Sequence, residues 1–281
     1  MKLSLGFSPC PNDTFIFDAL VNGKLPESGI EFEPQLEDVE TLNLWAKDSR
    51  LDLTKVSVGV MAAISSSYQI LDAGSALGFG VGPLLISRTK IAADPETLKA
   101  LTVAIPGLNT TANLLLSLAF PELKQKKIML FSEIEDAVLS GKVDAGLIIH
   151  ENRFTYHAKG LHKIIDLGKY WEEQHQMPIP LGCIAIRRSL PESVKQQVSL
   201  LISESIKRAF RFPEDTMSYV SVHSQEMEET VMRKHIALYV NEFSVSLGKS
   251  GRKAIEMLLY AGKKAGFMPD ASTSLFIIPE Q

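Results

Sequence analysis

The stretch LSLGFSPCPNDTFIFDALV (residues 3–21) decides the fold, because a short strand in it leads directly into a helix. Leu3–Phe7 is an apolar run of strand length, and the prolines that follow at positions 9 and 11 stop it. Pro11–Thr14 then offers helix-capping residues, and apolar side chains within residues 15–21 continue the helix. A strand followed at once by a helix is the building unit of an α/β fold.

The same alternation continues along the chain. Short apolar runs predict further strands at Glu31–Gln35, Leu53–Val58, the end of Gly78–Arg88, Leu101–Ile105, Ala145–His150 and Leu181–Arg188. Longer amphipathic runs predict helices at Thr110–Ala119, Glu133–Leu139, Pro191–Phe212, Pro213–Ser224, Glu226–Phe243 and Gly251–Ala265. We therefore predict an α/β protein built around parallel sheets.

The composition excludes several classes of partner. The 281 residues include 29 Lys and Arg against 33 Asp and Glu, a net charge of −4 without a basic block, which argues against nucleic-acid binding. No apolar run reaches the about 18 residues of a membrane span, and the first residues lack the pattern of a secretory signal. We expect a cytoplasmic protein that binds neither nucleic acid nor membrane, and the sequence leaves its oligomeric state open.

The order of strands and helices predicts two lobes. Residues 89–188 contain their own strand–helix alternation and form the smaller α/β lobe. Residues 1–88 have too few helices to cover a sheet, whereas residues 189–281 are almost all helical, so together they form a discontinuous larger lobe. Two crossings between lobes leave a cleft, and clefts between domains are common ligand sites.

The turn before the predicted helix at residues 110–119 is a candidate anion site. Main-chain N–H groups at a helix start carry partial positive charge, and Thr110 and Thr111 add hydroxyl groups. A small anionic substrate is therefore the expected ligand. The alternative is that one threonine only caps the helix.

His150 is the candidate general base, because it ends the buried strand Ala145–His150. Ligands of open α/β sheets gather at the carboxyl ends of strands, and a neutral imidazole accepts a proton. The alternative is a structural histidine bonded to a neighbouring loop. The five other histidines, including His235, lie among polar residues and are interpreted as structural.

Polar residues at the ends of two other strands are weaker candidates. Alternation places Lys55 and Ser57 on one side of their strand, where Lys55 is either solvated or paired with an anion. The loop Ser8–Thr14 presents Asn12 and Asp13 either to the cleft or as helix caps. The glycines at 78, 80 and 82 fall short of a dinucleotide fingerprint and indicate a hinge or a pocket lining.

No metal site is predicted. Cys10 and Cys183 are too few for a zinc cluster, and we interpret both as small buried thiols. His150-Glu151 lacks the second histidine that a zinc-binding helix motif requires four residues later.

The chain resembles the 1,4-dihydroxy-6-naphthoate synthase family of the futalosine route to menaquinone. The resemblance rests on GFSPCPNDTF (6–15), LEDVETLN (36–43), LTK (53–55), GVGPL (80–84), GLIIHE (146–151) and YVNEFS (239–244). It implies the two-lobed fold of type 2 periplasmic binding proteins. It also implies conversion of cyclic dehypoxanthinyl futalosine to 1,4-dihydroxy-6-naphthoate with release of dihydroxyacetone, without cofactor or metal.

The resemblance further implies roles for particular residues. His150 matches the family's catalytic base, and the substrate contacts map to Lys55-Val56-Ser57 and Thr110-Thr111. Ser8, Asn12, Asp13 and Asn109 are further candidates for the cleft by their positions in the chain, although Asn109 stands where relatives carry other residues.

Two alternatives stay open at this point. Chorismate dehydratase, an enzyme of the same pathway with a similar fold, is disfavoured by the motif that carries His150. A solute-binding protein that captures a small anion without chemistry is disfavoured by the absence of a signal pattern.

Overall fold

The computed structural model describes residues 1–224, 228–271 and 274–278. Within these ranges eleven strands form two sheets: β1 (Lys2–Phe7), β2 (Glu31–Leu36), β3 (Leu53–Ser57), β4 (Tyr68–Ile70), β5 (Ala76–Gly78), β6 (Leu84–Ser87), β7 (Val103–Ile105), β8 (Lys126–Ile128), β9 (Ala145–Ile148), β10 (His162–Asp166) and β11 (Ile179–Arg187).

The helices of the described residues alternate with strands up to residue 187 and follow one another after it. They are α1 (Pro11–Val21), α2 (Val39–Lys47), α3 (Met61–Ile64), α4 (Pro95–Leu98), α5 (Thr111–Ala119), α6 (Ile134–Leu139), α7 (Asn152–Thr155), α8 (Leu167–His175), α9 (Glu192–Arg211), α10 (Pro213–His223), α11 (Glu229–Tyr239), α12 (Glu242–Val245) and α13 (Gly248–Lys264). The helix predicted at Glu226–Phe243 begins outside the described residues, and the helix seen there ends at Tyr239.

The first sheet has the order β2-β1-β3-β11-β4, and β5 also pairs with β11. Strand β1 runs parallel to β2 and β3, whereas β11 is antiparallel to β3, β4 and β5. The alternation in β1 sends Leu3, Leu5 and Phe7 into one buried cluster with Ile202 and Ile206 of α9. The helices after residue 190 therefore cover the sheet to which the first strand belongs.

The second sheet has the order β10-β6-β9-β7-β8. Strands β7, β8 and β9 are parallel, and β6 is antiparallel to both β9 and β10. The carboxyl ends of β7 and β9 consequently lie at the same edge, where Pro106–Thr110 follows β7 and Ile149–Glu151 follows β9. Parallel strands thus bring the predicted anion site and the predicted base to one side of this sheet.

Two strands pair in a different sheet from the one implied by the predicted lobe boundaries, which follow residues 88 and 188. Strand β6, expected in the larger lobe, pairs in the second sheet, and β11, expected in the smaller lobe, pairs in the first. Backbone pairing decides this, because β11 shares five residue pairs with β3 over Gly182–Ile186. We propose lobe boundaries that follow the sheets, between Gly78 and Leu84 and between Asp166 and Ile179.

The glycine-rich segment before β6 allows two parts of the backbone to meet closely. A Cβ on Gly82 would lie 2.2 Å from the Cα of Gly168 at the start of α8. Gly80 has φ +70° and donates its N–H to Glu172 Oε1 at 2.7 Å. The glycines therefore serve backbone packing in one of the segments that join the sheets. Across the described ranges, no helix has the length and apolar character needed to span a membrane.

Candidate active site

A cavity of about 670 Å³, measured to its open mouth, lies between the two sheets. Nine of the ten residues predicted for the site line it: Ser8, Asn12, Asp13, Lys55, Val56, Ser57, Thr110, Thr111 and His150. Most of its remaining lining is apolar and includes Val39, Val81, Ile149 and Leu181. A mostly apolar cavity with a few converging polar groups is typical of a site for a small organic ligand.

The first turn of α1 places a carboxylate inside this cavity. Asp13 is 2% exposed, and its Oδ2 accepts hydrogen bonds from the Ser8 hydroxyl at 2.8 Å and the Ser8 N–H at 3.2 Å. Its Oδ1 accepts from Asn12 Nδ2 at 2.8 Å and lies 3.0 Å from Lys55 Nζ. The loop residues predicted as cleft or cap thus form one buried network at the start of α1.

Lys55 is buried and pairs with the protein's own anion. Its ammonium group also donates to the carbonyl of Gly74 at 2.9 Å, and the side chain is 5% exposed. A buried ion pair of this kind needs further hydrogen bonds to offset its desolvation, and Ser8 and Asn12 supply them to Asp13. Lys55 is therefore not a solvated surface charge.

Ser57 retains a hydroxyl hydrogen for a ligand. Asn43 Nδ2 donates to Ser57 Oγ at 3.1 Å, and the Ser57 N–H donates back to Asn43 Oδ1 at 2.9 Å. Within the part of the chain that the structure describes, the Ser57 hydroxyl itself donates to no acceptor. It is 4% exposed and lines the cavity, so its hydrogen is available there.

The hydroxyls of Thr110 and Thr111 are engaged with the protein. Thr110 is the N-cap of α5: its hydroxyl donates to Gly107 O at 2.8 Å and accepts from Asn113 N–H. The Thr111 hydroxyl donates to Leu181 O at 2.6 Å and accepts from Gly59 N–H at 3.0 Å. Because each hydroxyl hydrogen is already used, an anion here would be bound by the main-chain N–H groups of the first turn of α5.

Asn109 lies outside the cavity lining. Its side-chain and main-chain N–H groups both donate to Glu40 Oε1, at 2.7 and 3.1 Å. The sequence predicted a cleft residue, but these contacts instead join the turn before α5 to helix α2 of the first sheet's layer. The carboxylate of Glu40 holds Asn109 away from the cavity.

His150 follows β9 and faces the cavity, where it is partly exposed. Its φ of +57° is left-handed, and the other two non-glycine residues with positive φ end helices rather than follow a strand. Strain of this kind, about 1–3 kcal/mol, concentrates at functional sites. The ring packs 4.9 Å from that of Phe131. Burial lowers the pKa of His150 to about 4, so its imidazole is neutral at pH 7.

His235 and Tyr239 line the same cavity, although the sequence reasoning treated His235 as structural. His235 is fully buried, its ring lies parallel to that of His150 at 6.1 Å, and its Nε2 lies 2.8 Å from Asn12 Oδ1. Burial lowers the pKa of His235 well below its ordinary value. The signal was the helical spacing of buried Met232, Ile236 and Tyr239, which places His235 on the inner face of α11.

A second set of donors meets beside His150. The Cys10 sulfur, a His150 ring nitrogen and a Glu151 carboxylate oxygen lie within 4.8 Å of one another. Cys10 and Glu151 are both buried, and burial raises the pKa of the Cys10 thiol well above its ordinary value. These three residue types are common metal ligands, and the sequence did not predict their meeting because Cys10 lies in another motif.

Comparison with known proteins finds relatives that match nearly the whole chain. A family profile described as "Menaquinone biosynthesis" matches residues 3–264. The 1,4-dihydroxy-6-naphthoate synthase of Thermus thermophilus is 43% identical over 275 residues, covering 98% of this chain and 99% of that protein. The Streptomyces coelicolor protein of the same name is 40% identical over 282 residues, covering 99% and 98%.

Solved structures show the fold. The protein AF1704 of Archaeoglobus fulgidus superposes with a TM-score of 0.89 at 34% identity, over 95% of this chain and 98% of that one. The periplasmic aliphatic sulphonate binding protein SsuA of Escherichia coli gives a TM-score of 0.66 at 14% identity, over 100% and 93%. The second likeness is one of fold alone, the two-sheet architecture of periplasmic binding proteins. On the profile match and the two full-length relatives, this chain belongs to the 1,4-dihydroxy-6-naphthoate synthase family of menaquinone biosynthesis.

Proposed function

We propose that the protein is a carbon–carbon lyase that converts cyclic dehypoxanthinyl futalosine to 1,4-dihydroxy-6-naphthoate and dihydroxyacetone, with His150 as general base. Family membership supports the reaction, since two relatives that match nearly the whole chain carry the synthase name. The placement of His150 supports the mechanism.

A biosynthetic role of this kind suits the cytoplasm, and both free thiols, Cys10 and Cys183, are buried as in proteins of reducing compartments.

The observation that carries the mechanism is a neutral imidazole at the wall of the ligand cavity. Burial keeps His150 unprotonated at pH 7, so one ring nitrogen offers a lone pair to an acidic C–H of the substrate. Removal of a proton next to a carbonyl group starts the cleavage of a neighbouring carbon–carbon bond. The negative charge that develops on the carbonyl oxygen then needs a hydrogen-bond donor.

Two donors in the cavity meet that need. Ser57 and the first two residues of α5, Thr111 and Ala112, line the cavity, so we assign the Ser57 hydroxyl and the main-chain N–H groups of this turn as these donors. The positive end of the α5 dipole suits the carboxylate of a naphthoate product. Burial also raises the pKa of Tyr239, so its phenol remains a protonated hydroxyl in the same cavity.

The Lys55–Asp13 pair keeps the cavity floor nearly neutral. Lys55 Nζ and Asp13 Oδ1 are buried and lie 3.0 Å apart. Each charge is therefore neutralised by the other and not by a charged group of the substrate. We therefore assign Lys55, Asp13, Ser8 and Asn12 to holding the shape and charge of the site, and Val56 to its apolar wall. Proton transfer falls to His150.

A product assay tests the proposal. Purified protein is incubated with the cyclic futalosine derivative, and both products are followed by liquid chromatography and mass spectrometry. We expect stoichiometric naphthoate and dihydroxyacetone from wild type and a large rate loss in His150→Asn. Chorismate is run in parallel, and its dehydration would favour the related dehydratase. Retention of intact ligand without turnover would mean a binding protein and would overturn the proposal.

A further inference from the structure

We propose that Cys10, His150, Glu151 and His235 form a binding site for a thiophilic divalent cation such as Zn²⁺, beside the cavity that His150 and His235 line. The site would be distinct in chemistry from the proposed reaction, which uses no metal. It does not rest on that reaction, since cation binding is measured without substrate.

The first observation is the convergence of three donors of different kinds. One thiol sulfur, one imidazole nitrogen and one carboxylate oxygen lie within 4.8 Å of one another. Cys10 lies directly before α1, and His150 and Glu151 follow β9, so the two sheets contribute separate segments. A mixed sulfur, nitrogen and oxygen set suits zinc and cobalt rather than magnesium or calcium.

The second observation is an unpartnered nitrogen aimed at this cluster. Asn12 Nδ2 donates to the Asp13 carboxylate, so Asn12 Oδ1 must face His235, and the His235 nitrogen that it meets, Nε2, carries the hydrogen. A neutral His235 then has a bare lone pair on Nδ1. Nδ1 is fully buried and has no hydrogen-bond partner among the described residues.

The Nδ1 lone pair is directed at another acceptor. It lies 3.7 Å from Glu151 Oε2, beyond hydrogen-bond distance for a shared proton. A cation placed between these two atoms could bind both of them at this separation. In a four-coordinate zinc site the bonds are about 2.0–2.3 Å long, so neighbouring donor atoms lie roughly 3.5 Å apart. The donor atoms of Cys10, His150 and Glu151, which lie within 4.8 Å of one another, would move closer together when a cation binds.

Occupation of this site would affect His150. A bound cation takes up the nitrogen lone pair that a general base needs, so Zn²⁺ would block proton abstraction. It would also tie the segment before α1 to the turn after β9 and to α11. We therefore expect an inhibitory rather than an activating cation.

Cobalt provides a readout that does not depend on activity. Metal-free wild-type protein is titrated with Co²⁺, and the near-ultraviolet thiolate-to-cobalt absorption and the visible bands of a four-coordinate ion are recorded. Zn²⁺ is then added to displace the cobalt. The variants are Cys10→Ala, Cys10→Ser and His235→Gln, and Cys183→Ala is the matched control because it removes the chain's other buried thiol.

We expect saturation at one Co²⁺ per chain in wild type and in Cys183→Ala, with displacement by Zn²⁺. The thiolate band should vanish in both Cys10 variants, and His235→Gln should weaken cobalt binding by more than the about 10–100-fold that outer-shell groups contribute. Protection of Cys10 from alkylation by Zn²⁺ in the wild type gives the same answer should the Cys10 variants fail to fold. The proposal would be overturned if the wild-type protein showed no thiolate-to-cobalt absorption. It would also be overturned if that absorption persisted after Cys10 is replaced.

Discussion

The Nε2 atom of His235 lies 2.8 Å from Oδ1 of Asn12, and this contact joins helix α11 to the first turn of α1 inside the cavity. The two residues are separated by 223 positions in the chain. Through Asn12 the contact continues to Asp13 and Lys55, so one buried chain of polar groups connects α11 to α1 and to strand β3 of the first sheet. The predictions below follow from this network and from the placement of His150.

Replacement of His150 by asparagine should lower kcat by about 10²–10⁴-fold, the usual contribution of a positioned general base. Asparagine is the suitable replacement because it tolerates the left-handed backbone that His150 adopts at φ +57°. Steady-state kinetics with the cyclic futalosine derivative give the measurement, and thermal unfolding checks the fold. His157→Asn, at an exposed histidine close in sequence, is the control. A His150→Asn rate within a few-fold of wild type would make His150 a structural residue.

The pH dependence of kcat/KM should report the low pKa of His150 in the free enzyme. Because burial lowers this pKa to about 4, the imidazole stays unprotonated between pH 7 and about 5 and gains a proton only near pH 4. We expect kcat/KM to stay constant between pH 7 and about 5 and to decline toward pH 4. Circular dichroism at each pH checks that the protein remains folded. An acidic limb centred near the ordinary value of 6.5 would contradict this placement of His150.

The free energy of unfolding should fall as the pH drops from about 6.5 toward 4. Between these pH values His150 is protonated in the unfolded chain but neutral in the folded protein. The unfolded state therefore binds more protons. Urea unfolding at pH 7 and pH 5 gives the difference, and His150→Asn should show a smaller one than wild type. His235, whose pKa burial also lowers, adds to the effect in the same direction. Equal pH dependence in the variant and the wild type would count against a depressed pKa at position 150.

Two substitutions of His235 distinguish the role of its hydrogen bond with Asn12 from the role of the rest of the imidazole ring. Glutamine places an amide N–H near the position of Nε2 and keeps the bond to Asn12, whereas asparagine is too short to reach it. We expect His235→Asn to lower the free energy of unfolding by about 1–3 kcal/mol, the cost of an unsatisfied buried acceptor. His235→Gln should lose less and keep more activity. Urea unfolding and kcat/KM measure both, and the reverse order would exclude this role for Nε2.

Thr111→Val should affect folding as well as substrate binding. Its hydroxyl joins α5 to Leu181 of β11 and to Gly59, and valine would leave that carbonyl and that N–H without their partner. We expect a loss of about 1–3 kcal/mol per unsatisfied group in the free energy of unfolding. Thr111→Ser, which keeps both bonds, is the control and should stay close to wild type. A fully stable Thr111→Val variant with raised KM would instead indicate direct contact of the hydroxyl with substrate.

The strands that sequence reasoning missed are short or polar. Tyr68–Ile70 and Ala76–Gly78 have three residues each, too few for a period to show, and Lys126–Ile128 carries two lysines at the edge of its sheet. His162–Asp166 also escaped, since it is polar and only partly covered. Short or polar strands form because a neighbouring strand supplies backbone hydrogen-bonding partners. Those partners are in place only in the assembled sheet.

The sequence by itself determined the α/β class and the position of His150 at a strand end, because periodicity and turn residues act within a few positions. Chain folding decided what His150 meets. Asn109 donates to Glu40, the hydroxyls of Thr110 and Thr111 donate to protein carbonyls, and β6 pairs in the second sheet and β11 in the first. His235 entered the site from a helix more than two hundred residues beyond Asn12. Contacts over such separations depend on how two sheets and their helices pack, and no local pattern of residues contains them.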